Sequence, residues 1–121
     1  MSEWIYQQTS GYLFLDGDFI GIGYAGHGEG LNNPDMEAAE GVGPIPRGQW
    51  HVVKWVDNYE NKGSCVARLA PVGFDPHGRS GFLCHGDNPE LNHTASDGCI
   101  VAPHDARTAW RNSEDNDLEV I

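Results

Sequence analysis

The sequence predicts a small, mainly β fold: a sandwich or partly open barrel with one or two short helices and long loops. Three observations carry that expectation. Sixteen glycines and seven prolines interrupt 121 residues, so uninterrupted segments are short. The apolar stretches are rich in β-branched and aromatic residues and are bounded by Gly, Pro, Asn or Asp, as strands are. Only 39% of the residues are apolar, and no run approaches the ~20 residues that cross a bilayer as a helix. Long helices and membrane spans are therefore excluded, and the length suits one domain over residues 1–121.

Taken in order, Trp4 to Gln8 and Tyr12 to Leu15 have the pattern of short strands. Asp16-Gly17-Asp18 follows, where Asp-Gly supplies the positive φ of a tight hairpin, and the run Phe19 to Tyr24 completes an opening β-meander. From Ala25 to Gly43 the pattern gives way to a long loop of the kind that binds ligands. It holds one short helix, with Asn33 as N-cap, Pro34 at the first helical position and Gly41 as terminator. Gly43-Pro44-Ile45-Pro46-Arg47-Gly48 makes a rigid turn into a strand from Trp50 to Val56, on which simple alternation sets Trp50 and Trp55 on opposite faces. Asp57 to Gly63 loops back to a partner strand, Ser64 to Leu69. Gly81 to Cys84 is a short apolar strand delivering His85-Gly86-Asp87 at its end, and Asn88 to Ser96 separates it from the β-prone Asp97 to Val101. Pro103 to Arg111 has the composition of a short helix, and Leu118 to Ile121 closes the sheet.

Eighteen acidic against seven basic residues leave a net charge of −11 and a pI near 4.6. Phosphate repels such a surface, so neither nucleic acid nor an anionic membrane is an expected partner. The segment Met1 to Tyr6 lacks the cationic and apolar regions of a secretory leader, which leads us to expect synthesis in the cytosol without a signal peptide.

Cys65, Cys84 and Cys99 are an odd number, which speaks against a disulfide framework. Cys65 and Cys84 sit in strand-like apolar contexts as buried thiols do. Cys99 instead follows a glycine, in a turn that would expose its thiol and aim the backbone N–H groups of Gly98 and Cys99 at one point as an oxyanion hole. A nucleophilic thiol needs a base to remove its proton, and His85, at the end of a neighbouring strand, is the candidate.

The local sequences sharpen this pairing. Phe82-Leu83-Cys84-His85-Gly86 and Ser96-Asp97-Gly98-Cys99-Ile100 resemble the paired signature of the L,D-transpeptidase catalytic domain. Gly11-Tyr12, Gly23-Tyr24-Ala25-Gly26, Asn32-Asn33-Pro34, Gly43 to Gly48, Gly78-Arg79 and His85-Gly86-Asp87 complete an ordered set. Together they are similar to the type VI secretion L,D-transpeptidase effectors and their phage-associated relatives. Asp97 and Val101 depart from the general family, which commonly has a histidine before Gly-Cys and a basic residue after Cys-Ile.

The resemblance implies an L,D-transpeptidase-like fold and a cofactor-free cysteine acyltransferase acting on peptidoglycan stem peptides as L,D-carboxypeptidase or D-amino-acid exchanger. Cys99 would be the nucleophile, His85 the general base, and Gly98 and Cys99 the oxyanion donors. Asp87 would orient the imidazole, Ser96 would brace the turn or bond the histidine, and Tyr24, Arg79, Asn33 and Asp97 would meet substrate, Arg79 by gripping a carboxylate. Action in the periplasm after non-classical delivery, with secretion machinery and an immunity protein as partners, belongs to the same implication. Phage lysis is the other delivery route.

Two rival classes stand against it. His85, Asp87, His93, Cys99 and His104 fall close together and are all possible zinc ligands, yet no spacing among them is a recognised zinc pair. A non-enzymatic β module would bind through Trp4, Trp50, Trp55 and Trp110, residue types that more often fill a core.

Overall fold

The computed structural model describes residues 4–59, 63–87, 96 and 98–121. Among them the strands are β1 (Trp4–Tyr6), β2 (Tyr12–Leu15), β3 (Asp18–Ile22), β4 (Tyr24–Ala25), β5 (Gly48–Val56), β6 (Val66–Pro71), β7 (Leu83–His85), β8 (Ile100–Val101) and β9 (Asp117–Val120). One α-helix, α1 (His104–Ser113), and two 3-10 turns, Gly28–Gly30 and Pro34–Met36, accompany them. The strands form one sheet in the order β3-β2-β1-β9-β5-β6-β7-β8-β4. Pairing is antiparallel except between β1 and β9 and between β7 and β8.

β3 and β4 stand at opposite ends of this order, yet Gly23 alone separates them in the chain. A flat sheet would set its edge strands roughly 38 Å apart at about 4.8 Å per strand step, whereas two residue steps reach only about 7 Å. The sheet therefore curls until its edges nearly meet, a barrel-like closure. Gly23 N–H ties the corner by donating to the Gly11 carbonyl at 2.7 Å.

Apolar side chains fill the interior. Leu118 of β9 pairs with Trp4 on one side and Trp50 on the other. Trp4 stacks on Trp110 of α1 with ring centroids 5.3 Å apart, and Trp55 meets the same indole edge-on at 5.7 Å. Trp50 packs against Phe82 and Phe74. α1 turns Ala106, Arg107 and Trp110 inward, the spacing of one helix face.

Several expectations need correction. Trp50 and Trp55 both pack against the core, because the β5–β6 register shifts between Val52 and Lys54 and the extra residue reverses the alternation. β1 ends at Tyr6, and Gln8 instead buries its amide, which donates to the Ile45 carbonyl at 3.0 Å and to Glu37 at 3.1 Å. Asn33 does cap its turn, its Oδ1 accepting from Asp35 N–H at 3.0 Å, but the turn spans only Pro34–Met36 and does not run on to Gly41. Glu37 keeps helical dihedrals as the C-cap, and separate turns, with Ala39 N–H donating to the Met36 carbonyl and Gly43 N–H to that of Ala39, carry the chain on to Gly43. The strand expected from Leu118 to Ile121 spans Asp117–Val120 and lies between β1 and β5.

Candidate active site

The site grows out of one row of pairings. β7 and β8 run parallel with Cys84 opposite Ile100 and His85 opposite Val101, and β4 adds Ala25 opposite Ile100 and Tyr24 opposite Val101. Cys84 and Ile100 belong to the core. Side chains alternate along a strand, so His85 and Val101 face the other way, and the position before Ile100, Cys99, falls on the His85 side. The register thus sets His85 opposite Val101, two residues after Cys99, which lies in the bend just before β8.

Cys99 is half-buried, with Sγ 3.8 Å from the Gly81 carbonyl. It lines a cleft of about 200 Å³ with Glu40, Gly41, Arg79, Phe82 and Gly98 among its walls. The other two thiols are buried. Burial pushes the Cys84 thiol up to about 12, against the opposing pull of Arg107, so it stays protonated and unreactive at neutral pH. His85 is 1% exposed, and its Nδ1 lies 2.7 Å from the Gly86 carbonyl. A carbonyl only accepts, so Nδ1 carries the proton and Nε2 of the neutral ring carries the basic lone pair. The group that sets the tautomer is therefore the Gly86 carbonyl. Asp87, expected to orient the imidazole, has Oδ1 accepting from the Tyr24 hydroxyl at 2.7 Å.

Ser96 is fully buried, and its hydroxyl ties the turn together. Oγ accepts from Gly26 N–H at 2.9 Å and Gly98 N–H at 3.0 Å, and donates to the Cys99 carbonyl at 2.6 Å. The Gly98 N–H, expected as an oxyanion donor, is directed at this hydroxyl instead. His27, which sequence reasoning passed over, adds a ring nitrogen 2.8 Å from the Ser96 carbonyl.

Two buried arginines back the two key residues. Arg79, expected to grip substrate, is 6% exposed and directs its guanidinium at three carbonyls: Nη1 donates to Glu37 at 2.6 Å and Pro44 at 2.8 Å, and Nη2 donates to Gly43 at 3.0 Å. It lies 4.9 Å over the Phe82 ring, and it occupies the space a Cβ at Gly98 would need. Arg107 repeats the arrangement beside His85. It donates to the carbonyls of Ala102, Ser64 and Cys65, and a Cβ at Gly86 would come within 2.7 Å of its Nη2. Each glycine beside a key residue thus makes room for a guanidinium. Sequence reasoning missed Arg107, although a cation on the inward stripe of α1 with Ala106 and Trp110 is a legible signal.

Glu37 was also missed, and no local pattern marks it, since its partners are scattered along the chain. Its carboxylate accepts from Gln8 at 3.1 Å, from the backbone and side chain of Arg47 at 3.2 and 2.9 Å, and lies 3.1 Å from His77. Burial alone would raise its pKa, but these bonds outweigh it and hold the carboxyl at about 2.

Tyr24 and Asp87 line a different cleft, of about 470 Å³, with Val101, His104 and Arg107 among its walls. Asn33 keeps both ends of its amide within its own loop, accepting from Asp35 and donating to the Glu29 carbonyl. Asp97 and His93 lie outside the described residues. Among the described residues no three His, Cys, Asp or Glu side chains gather as metal ligands would.

The nearly closed nine-stranded sheet with its single described helix is the L,D-transpeptidase fold. The chain resembles the solved structure of LD transpeptidase LdtMt1 in complex with imipenem, with a TM-score of 0.58 and 14% identity over 99% of this chain and 58% of that one. It therefore spans less than two thirds of that protein's length. Residues 21–120 match the Tlde1 domain, and the chain belongs to that family, the type VI secretion L,D-transpeptidase effectors. No curated protein matches it.

Proposed function

We propose that the protein is a cysteine acyltransferase of peptidoglycan stem peptides, acting as an L,D-carboxypeptidase or as an exchanger of D-amino acids, and serving as an antibacterial toxin. The observation that supports the proposal is the β7–β8 register, which sets His85 opposite Val101, two residues from a Cys99 that lines a cleft. His85 Nε2 takes the proton from Cys99 Sγ, and the thiolate attacks the carbonyl of the third, L-centred residue of the stem. Backbone N–H groups of the turn, that of Cys99 first, stabilise the oxyanion. The tetrahedral adduct collapses with cleavage of the amide, and His85 returns its proton to the departing D-alanine amine. Water then hydrolyses the thioester, or the amine of a D-amino acid takes the acyl group. Thiol, imidazole and water complete the chemistry. The substrate lies in the periplasm, so the protein works there after delivery by the type VI machinery, and a producing cell is guarded by an immunity protein.

Purified muropeptides incubated with the wild type and with Cys99→Ala, read by mass, test the reading. Loss of terminal D-alanine from tetrapeptides with the wild type alone is expected. Intact tetrapeptides with both proteins, in the presence or absence of a free D-amino acid, overturn it.

A further inference from the structure

Arg79 is not used by the mechanism just given, yet it is among the few buried charged side chains described. Three carbonyls from the long loop, those of Glu37, Gly43 and Pro44, fix its guanidinium. The Phe82 ring supports it from one side at 4.9 Å. On the other, it lies against the Gly98 backbone so closely that only the missing Cβ admits it, at a φ of 138°. Gly98 is the residue before Cys99, and Arg79 and Cys99 line the same cleft.

We propose that Arg79 is the positioning residue of the Cys99 turn: it pins Gly98 against the long loop and supplies the buried positive charge against which the Cys99 thiolate forms. The inference rests on Cys99 being the nucleophile. A cation fixed in a poorly solvated wall lowers a neighbouring thiol's pKa by about 1 to 3 pH units, and the three carbonyls keep this one from swinging away into solvent. Burial lowers the Arg79 pKa, while Glu40, Cys99 and Glu37 raise it, so the thiol and the guanidinium interact electrostatically. Among the described residues, the titratable groups bearing on Cys99 are Arg79 and Glu40 in its cleft, His85 on the adjoining strand and Cys84, which interacts with it electrostatically. Of these, Arg79 and a protonated His85 favour the thiolate, and Glu40 opposes it.

The rate of Cys99 alkylation by iodoacetamide against pH, followed by peptide mass, tests the proposal without substrate, so its failure is separate from failure of the peptidoglycan reading. In the wild type the midpoint is expected below the value of about 8.5 for a free thiol. His85→Ala should leave it low, because Arg79 remains. Arg79→Met should raise it by about 1 to 3 pH units. Arg79→Lys, which restores the charge without the planar fork, should recover most of the midpoint while leaving turnover on muropeptides at least tenfold down. A merely structural arginine would not give that split. A wild-type midpoint at or above about 8.5, or a midpoint in His85→Ala that rises to that value, overturns the proposal even if the Arg79 variants do not fold. An unchanged midpoint in a folded Arg79→Met overturns it directly.

Discussion

Ser96 shows how much a single hydroxyl can organise. One oxygen accepts from two backbone N–H groups, Gly26 and Gly98, and donates to a third partner, so it joins the long loop to the cysteine turn. Ser96→Ala leaves two buried N–H donors without their acceptor, at a cost of about 1–3 kcal/mol each where no water enters. We expect a protein that folds but melts several degrees lower, with turnover on muropeptides reduced at least tenfold. Ser96→Ala with wild-type melting and turnover would show that the turn holds itself. At this scale the sequence was a better guide to local geometry than to the bonds each residue makes. A Ser-x-Gly-Cys string marks a tight turn, and the alternation of β7 marks which side His85 takes. The Gly98 N–H bond to Ser96, two residues back, fits the bracing expected of that serine, whereas the bond of Asp87 was not legible, because it depends on Tyr24 arriving through a distant part of the chain.

Between elements, the fastening is polar. Glu37 links the end of β1, through Gln8, to the Pro-rich turn, through Arg47, and to the loop carrying His77, while its own carbonyl receives Arg79. Folding lowers the carboxyl's pKa from the ordinary 4.5 to about 2. The unfolded chain therefore binds the extra proton first, so Glu37's contribution to stability is full above about pH 4.5 and drains away as pH falls toward about 2. Denaturant titrations across that range should show the loss in the wild type and a flatter profile, from a lower plateau at neutral pH, in Glu37→Gln. Equal slopes in the two proteins would remove Glu37 from the account. Local pattern located the elements themselves: the Asp16-Gly17 hairpin, the β5–β6 pair and α1 follow from turn chemistry and strand composition. The β5 bulge did not follow, since an extra residue in one strand is visible only against its partner. Nor did the insertion of β9 between β1 and β5, which joins segments from opposite ends of the sequence.

At the scale of the whole molecule, charge and closure matter most. Under the proposed function, a net charge of −11 opposes attachment to an anionic wall and leaves recognition to the clefts. Association with purified sacculi is expected to strengthen as salt rises from about 0.01 to 0.15 M and the screening length falls from about 30 to 8 Å. Weakening over that range would instead reveal a cationic anchoring patch. The position of β9 has a consequence of another kind, in time. Leu118 sits between Trp4 and Trp50, and Val120 between Tyr6 and Gly48, so one late segment is the seam between the opening meander and everything from β5 onward. As the chain emerges during synthesis, the meander and the long hairpin appear early but have no shared edge until residues 117–120 arrive. The Cys99 turn is thus made before the strand that joins β1 to β5, and a nascent chain carries that turn on an unfinished sheet until residues 117–120 are laid in.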